Sequence, residues 1–151
     1  MPSISEYAID GFAVPDQLDA VHNLLTQVAV EHPEIDPLDI MLFETAVNEI
    51  ANNVVEYGKP EGSVQWHLKF IVDSDAIMCD LIDTGQPFEV HLSASMPDEM
   101  AEGGRGLPMA QAILDEVKLM RSQEANHWHM VRRLKPGRRS SAVPAPAEPT
   151  G

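Results

Sequence analysis

The chain has 151 residues, 44% hydrophobic and 5% aromatic, with a formal net charge of −14. Length and apolar share suit one globular domain with a core of ordinary size. The acidity argues against direct binding to nucleic acid, which depends on neutralising phosphates, and is compatible with a basic protein surface as partner.

No leader sequence opens the chain and no apolar run is long enough to span a bilayer, so no membrane role is expected. The lone cysteine, Cys79, cannot form an internal disulfide and fits a reducing cytoplasm, where it reads as a small core residue.

In chain order, Ser3–Gly11 reads as a first strand, with Ile4, Tyr7 and Ile9 as strand formers. Pro15–Val30 reads as a helix whose buried stripe is Leu18, Val21, Leu24, Leu25, Val28 and Ala29. Asp36 caps the next helix, with Pro37 at its first position, and Gly58 and Pro60 close it. Ser63–Val72 alternates as a strand, with Val64, Trp66, Leu68 and Phe70 on one face. Ala76–Asp83 is nearly continuously apolar, which predicts a central strand. Thr84–Gly104 shows no sustained periodicity, and a loop of that length in a compact domain is a functional lid or disordered. Leu107–Val117 reads as a helix, and Lys118–Ser122 with His127–Leu134 as a closing hairpin. His127 and His129 share one strand face, but no cysteine or carboxylate stands at ligand spacing, so they do not read as a metal site. The tail from Lys135 is rich in Pro, Ala and Ser and is expected to be disordered, giving a domain over 1–134 and a tail over 135–151. This element order favours an α+β fold with a mixed sheet covered by helices on one face.

The chain is organised around its central helix. Phe43, Ala46, Val47, Ile50, Ala51 and Val54 form an apolar stripe, and Asn48, Glu49, Asn52, Asn53 and Glu56 fall opposite. Three asparagines are unusual on a helix, because Asn is a weak helix former. Glu49 and Asn53, four residues apart, stand one turn above each other. A carboxylate and an amide oxygen so placed can ligate magnesium or orient a hydroxyl, although the same residues also suit a solvated face. Two short motifs follow. Asp83-Thr84-Gly85 ends the central strand, where a carboxylate can accept from an exocyclic amine and a glycine lets a flat ring approach, though such a turn is common. Gly103-Gly104-Arg105-Gly106 precedes a helix, where backbone N–H groups, the helix N-terminus and a guanidinium favour an anion. It is neither a P-loop nor a dinucleotide fingerprint.

Taken together and in order, these motifs resemble the nucleotide-binding fold shared by DNA gyrase, MutL and the histidine kinases. Within it the chain resembles the anti-sigma factor serine kinases typified by SpoIIAB and RsbW. The segments that carry the resemblance are AVNEIANNVVEYG, DLIDTGQPFE, GGRGLPMAQAILDEVKL and NHWHMVRRL, over about Ser3 to Leu134. The resemblance implies a Bergerat-type two-layer sandwich, with a mixed, mostly antiparallel sheet, helices on one face and an ATP lid. It implies ATP or ADP and magnesium as cofactors. It implies that Asn53 holds the magnesium ion, Glu49 is the general base, Asp83 binds the adenine amine, Gly85 makes room for the ring, and Gly104, Arg105 and Gly106 wrap the phosphates. It further implies a cytoplasmic homodimer that sequesters a sigma factor and phosphorylates a serine of a STAS-domain anti-sigma factor antagonist, which is partner switching. Two features bear on the rate: Glu56 adds a carboxylate one turn past Asn53, and Arg105 is the only basic residue between Lys69 and Lys118.

Other functional classes place different demands on the sequence. One is a nucleotide-dependent anti-sigma binding module with little or no kinase activity, which loss of Glu49 would favour; Glu49 is present. A histidine kinase fragment would need an acceptor histidine on a paired dimerisation helix, and His22 has no such partner helix before the nucleotide motifs. A gyrase-type machine would need a transducer domain that this length cannot hold.

Overall fold

A computed structural model of the chain describes residues 4–58, 60–87 and 106–134. Among these residues lie β1 (Ser5–Phe12), α1 (Gln17–Glu31), α2 (Pro37–Tyr57), β2 (Gln65–Val72), β3 (Ala76–Asp83), α3 (Gly106–Ile113), β4 (Glu116–Ser122) and β5 (Ala125–Arg133). The strands form one five-stranded sheet in the order β1-β2-β3-β5-β4. All four pairings are antiparallel, so the mixed, mostly antiparallel sheet expected from the sequence is antiparallel throughout its described pairings. β3 is central, as its apolar run predicts. α3 carries the chain from β3 to the far edge at β4, and β5 returns into the gap between them.

Alternation sorts each strand. Trp66, Leu68, Phe70 and Val72 of β2, Ile77, Cys79 and Leu81 of β3, and Trp128 and Met130 of β5 are buried. α2 lays Phe43, Ala46, Val47, Ile50, Ala51 and Val54 into this core, the stripe read from the sequence. Phe43 meets Phe70 edge-on, with ring centroids 6.2 Å apart, so helix and sheet lock through an aromatic pair. α1 adds Val21, Leu25 and Val28. Asp36 caps α2 by accepting the Leu38 N–H at 2.9 Å, and Pro37 fills the first turn, where no N–H is needed. Gly58 ends the helix without a left-handed backbone, at φ −88°. Its value is space: a Cβ there would stand 3.0 Å from the Val54 carbonyl oxygen and 3.1 Å from Val64 Cγ2.

Most ends shift by one or two residues from the sequence reading, and two of the shifts change which element a residue belongs to. The helix predicted over Leu107–Val117 ends at Ile113, and Val117 belongs to β4, opposite Met130. Ile113, Leu114 and Val117 fit a helical stripe, but Val117 and Leu119 also alternate. The Asp115 N–H donates to the Val131 carbonyl at 2.7 Å, so pairing with β5 takes over where the helix stops. β5 begins at Ala125 rather than His127, because Gln123 and Glu124 make a two-residue turn with φ of 53° and 64°. The predicted lid beyond Pro87, including Gly104 and Arg105, and the tail from Lys135 lie outside the described residues.

The ends of three elements are joined by a buried ion pair. Arg132 of β5 donates from Nε to Asp39 Oδ1 of α2 at 2.9 Å, and from Nη1 to the Ile113 carbonyl at the end of α3 at 2.6 Å. Asp39 is fully enclosed. On the open face of the sheet Asp80 accepts from His127 Nε2 at 2.9 Å and from His129 Nδ1 at 2.7 Å.

Candidate active site

The site is built where the C-terminal end of α2 meets the ends of β2 and β3 and the β4–β5 turn. A cleft of about 360 Å³ lies there, lined by Tyr57, Val64, Gly85, Pro87, Arg121 and Glu124 among others. Asp83 lies directly behind this wall. Its Oδ1 accepts the Gly85 N–H at 2.9 Å and Asn126 Nδ2 at 2.8 Å, and its Oδ2 accepts from Trp128 Nε1 at 3.3 Å. The corner turns tightly because Gly85 has no side chain: a Cβ would stand 3.0 Å from Asp83 Oδ1 and 3.4 Å from Val64 Cγ2. Thr84 pins the corner to β2, its N–H donating to the Gln65 carbonyl and its Oγ1 accepting the Gln65 N–H, both at 3.0 Å. Burial pushes the Asp83 carboxyl above its ordinary value, and the hydrogen bonds from Asn126, Gly85 and Trp128 with the Arg121 charge pull it part of the way back.

Glu49, Asn53 and Tyr57 follow at four-residue steps along one side of α2, and Tyr57 opens onto the cleft. The polar face predicted for this helix is divided by the fold. Asn52 and Glu56 are exposed, Asn48 and Glu49 are half-buried, and Asn53 is only 6% exposed. The Asn53 amide nitrogen is enclosed without a hydrogen-bond partner among the described residues, as is the Asn48 amide oxygen. An enclosed amide that no protein group has claimed costs stability and is the kind of group that a bound ligand would satisfy. As a donor, the Asn53 amide N–H would be satisfied by an acceptor atom of a bound ligand, whereas a metal ion could be held only by the amide oxygen. Gly106 stands at the first position of α3. Gly104 and Arg105, which complete the predicted phosphate loop, are outside the described residues.

The sequence reading did not single out Arg121, Asn126 or Trp128. Asn126 is a polar residue at an inward position of β5, in step with Trp128 and Met130. Beginning the strand two residues earlier would have revealed it. Among the described residues no group of three or more His, Cys, Asp or Glu is placed to hold a metal ion; Asp80, which bonds both His127 and His129, is a carboxylate beside them that their spacing in sequence did not reveal.

The family model for the histidine kinase-like ATPase domain matches residues 13–132. The chain belongs to this family. The match spans α2, the Asp83–Gly85 corner and both strands of the closing hairpin, so the cleft lies within the domain, and membership implies nucleotide binding. No curated protein sequence matches the chain. Among solved structures, the RsbU and RsbW domains of Rv1364c from Mycobacterium tuberculosis superpose on it with a TM-score of 0.60 at 20% identity. The match covers 86% of this chain and 32% of that one, and it supports the fold of this histidine kinase-like ATPase domain. No helix of the described residues is long and apolar enough to cross a membrane.

Proposed function

We propose that this chain is a magnesium-dependent protein serine kinase and anti-sigma factor. It holds a sigma factor away from RNA polymerase and phosphorylates a serine of a STAS-domain anti-sigma factor antagonist. The observation that carries the reading is the Asp83–Gly85 corner set against a cleft, in a chain of the histidine kinase-like ATPase family. The adenine ring lies in the cleft over Gly85, and its exocyclic amine donates to Asp83. Phosphates run from there along α2 toward Asn53 and the start of α3. The N-terminus of α3 at Gly106 faces negative charge favourably, and Gly104 and Arg105 complete the phosphate wrap. Asn53 is the residue that would hold a magnesium ion, which when bound screens the phosphate charge.

The half-buried Glu49, one turn from Asn53, serves as general base. It takes the proton of the serine hydroxyl as the hydroxyl oxygen forms a bond to the γ-phosphorus. The bond from that phosphorus to the β–γ bridging oxygen breaks, and ADP leaves with the electron pair. Most of the catalysis is positioning, which α2 supplies by fixing base and metal ligand at helical spacing. Cytoplasmic localisation and a homodimer belong to the same reading.

The test is label transfer. Purified protein is incubated with labelled ATP, magnesium and the STAS-domain protein encoded nearest to it, with Glu49→Gln alongside. The proposal expects label on a serine of the partner, reduced about 100-fold or more in the variant. ATP binding without any label on the partner would replace the kinase with a nucleotide-dependent anti-sigma binding module. The presence of one basic residue, Arg105, between Lys69 and Lys118 favours that second reading.

A further inference from the structure

We propose that Arg121 and Asn126 are positioning residues for base recognition. They fix Asp83 as an acceptor-only partner, so that the cleft selects a base with an exocyclic amine over one with a carbonyl at the same place. This rests on the nucleotide reading above and adds to it the residues that set base selectivity.

Asp83 Oδ1 already accepts two N–H groups, from Gly85 and Asn126. Among the described residues its Oδ2 accepts only the longer bond from Trp128 Nε1 at 3.3 Å. A carboxylate oxygen has room for about two such bonds, so the remaining capacity lies on Oδ2. Every described protein donor here is an N–H, and N–H donors favour the ionised carboxylate, which can accept but not donate. A ring amine then completes the shell. A ring carbonyl would set two acceptors against each other, and a site built for a hydrogen bond rejects such an analogue strongly.

Asn126 can donate to Asp83 only in one orientation of its amide. Arg121 sets that orientation: its Nη1 donates to Asn126 Oδ1 at 3.2 Å, which turns Nδ2 toward Asp83 and toward the Gln86 carbonyl at 2.7 Å. With the amide reversed, its oxygen would face the carboxylate. The same Arg121 Nη1 donates to the Gly85 carbonyl at 2.6 Å, so the guanidinium also holds the backbone over which the ring would lie. Asn126 is 1% exposed, so solvent does not supply a substitute for its bond to Asp83 Oδ1. The tight two-residue turn at Gln123 and Glu124 folds β4 back along β5, which sets Arg121 directly opposite Asn126.

The test uses ADP and IDP, whose bases differ in the group at the 6-position. Affinities for both are measured by calorimetry on the intact chain and on Arg121→Met, Arg121→Lys and Asn126→Leu. The proposal expects the intact chain to prefer ADP, and Arg121→Met and Asn126→Leu to reduce that preference about tenfold. Arg121→Lys, which keeps a charged donor, should retain more of it than Arg121→Met. A purely structural role would weaken both nucleotides in proportion and leave the ratio unchanged, and that result overturns the proposal. Arg121 is exposed, so its variants decide the matter even where Asn126→Leu does not fold. Equal affinity of the intact chain for ADP and IDP overturns this proposal and leaves the nucleotide reading standing. Binding of neither overturns both.

Discussion

Replacing Asn53 with alanine should make the nucleotide-free protein more stable while removing its response to ATP. The residue is 6% exposed and its amide nitrogen has no partner among the described residues. Relieving a buried unpaired N–H returns about 1–3 kcal/mol. Alanine exceeds asparagine as a helix former by about 0.5 kcal/mol. Against this stands the cavity left by the carboxamide, about 1 kcal/mol for roughly 40 Å³ at about 24 cal/mol per Å³. The net gain is about 0.5–2.5 kcal/mol, and at about 2–4 °C per kcal/mol for a domain of this size that raises the melting temperature by about 1–10 °C. Magnesium and ATP at about 100 times the dissociation constant should stabilise the unaltered chain by about 2.7 kcal/mol, and Asn53→Ala by far less. Thermal unfolding followed by circular dichroism, with and without magnesium and ATP, reads both effects. A lower melting temperature for the nucleotide-free variant would show that the amide is structural. A full ATP-induced shift in the variant would remove Asn53 from the site.

Arg132→Met should destabilise the chain by about 3–5 kcal/mol, because Asp39 stays buried without its guanidinium. Urea unfolding should show the midpoint fall by roughly 2 M, and a fall of a few tenths would mean that the pair adds little. Asp80 yields a pH prediction. Burial pushes its carboxyl up, but hydrogen bonds from His129 and His127 and their charges outweigh burial and hold it below its ordinary value of 3.8. A carboxyl lowered in the folded state adds stability above that value and loses it as pH falls through the folded value. Asp80→Asn should therefore flatten the decline in urea midpoint between about pH 4 and pH 2. An unchanged decline would place the acid sensitivity elsewhere.

The central helix was legible because its stripe, cap and end all agree: Phe43 to Val54 at helical steps, Asp36 with Pro37, and Gly58. The Asp83–Gly85 corner was legible as a motif, but the burial of Asp83 behind the cleft wall was not, since that depends on Asn126 and Trp128, more than forty residues away in sequence. Periodicity places Asn52 and Asn53 together on the polar side of α2. Packing separates them, leaving one exposed and the other enclosed. Val117 shows the same limit: its spacing fits helix and strand alike, and its partner Met130 decides. Arg121 read as an ordinary surface charge, because only the hairpin register brings it to Gly85 and Asn126.

The most direct test of the central claim is titration of the purified chain with ATP and magnesium by calorimetry, alongside Asp83→Asn. The account predicts saturable binding of one nucleotide per chain. It also predicts at least about tenfold weaker binding in the variant, because a charged hydrogen bond to the base is lost. Equal affinity of the two proteins, or no binding to the unaltered chain, would contradict it.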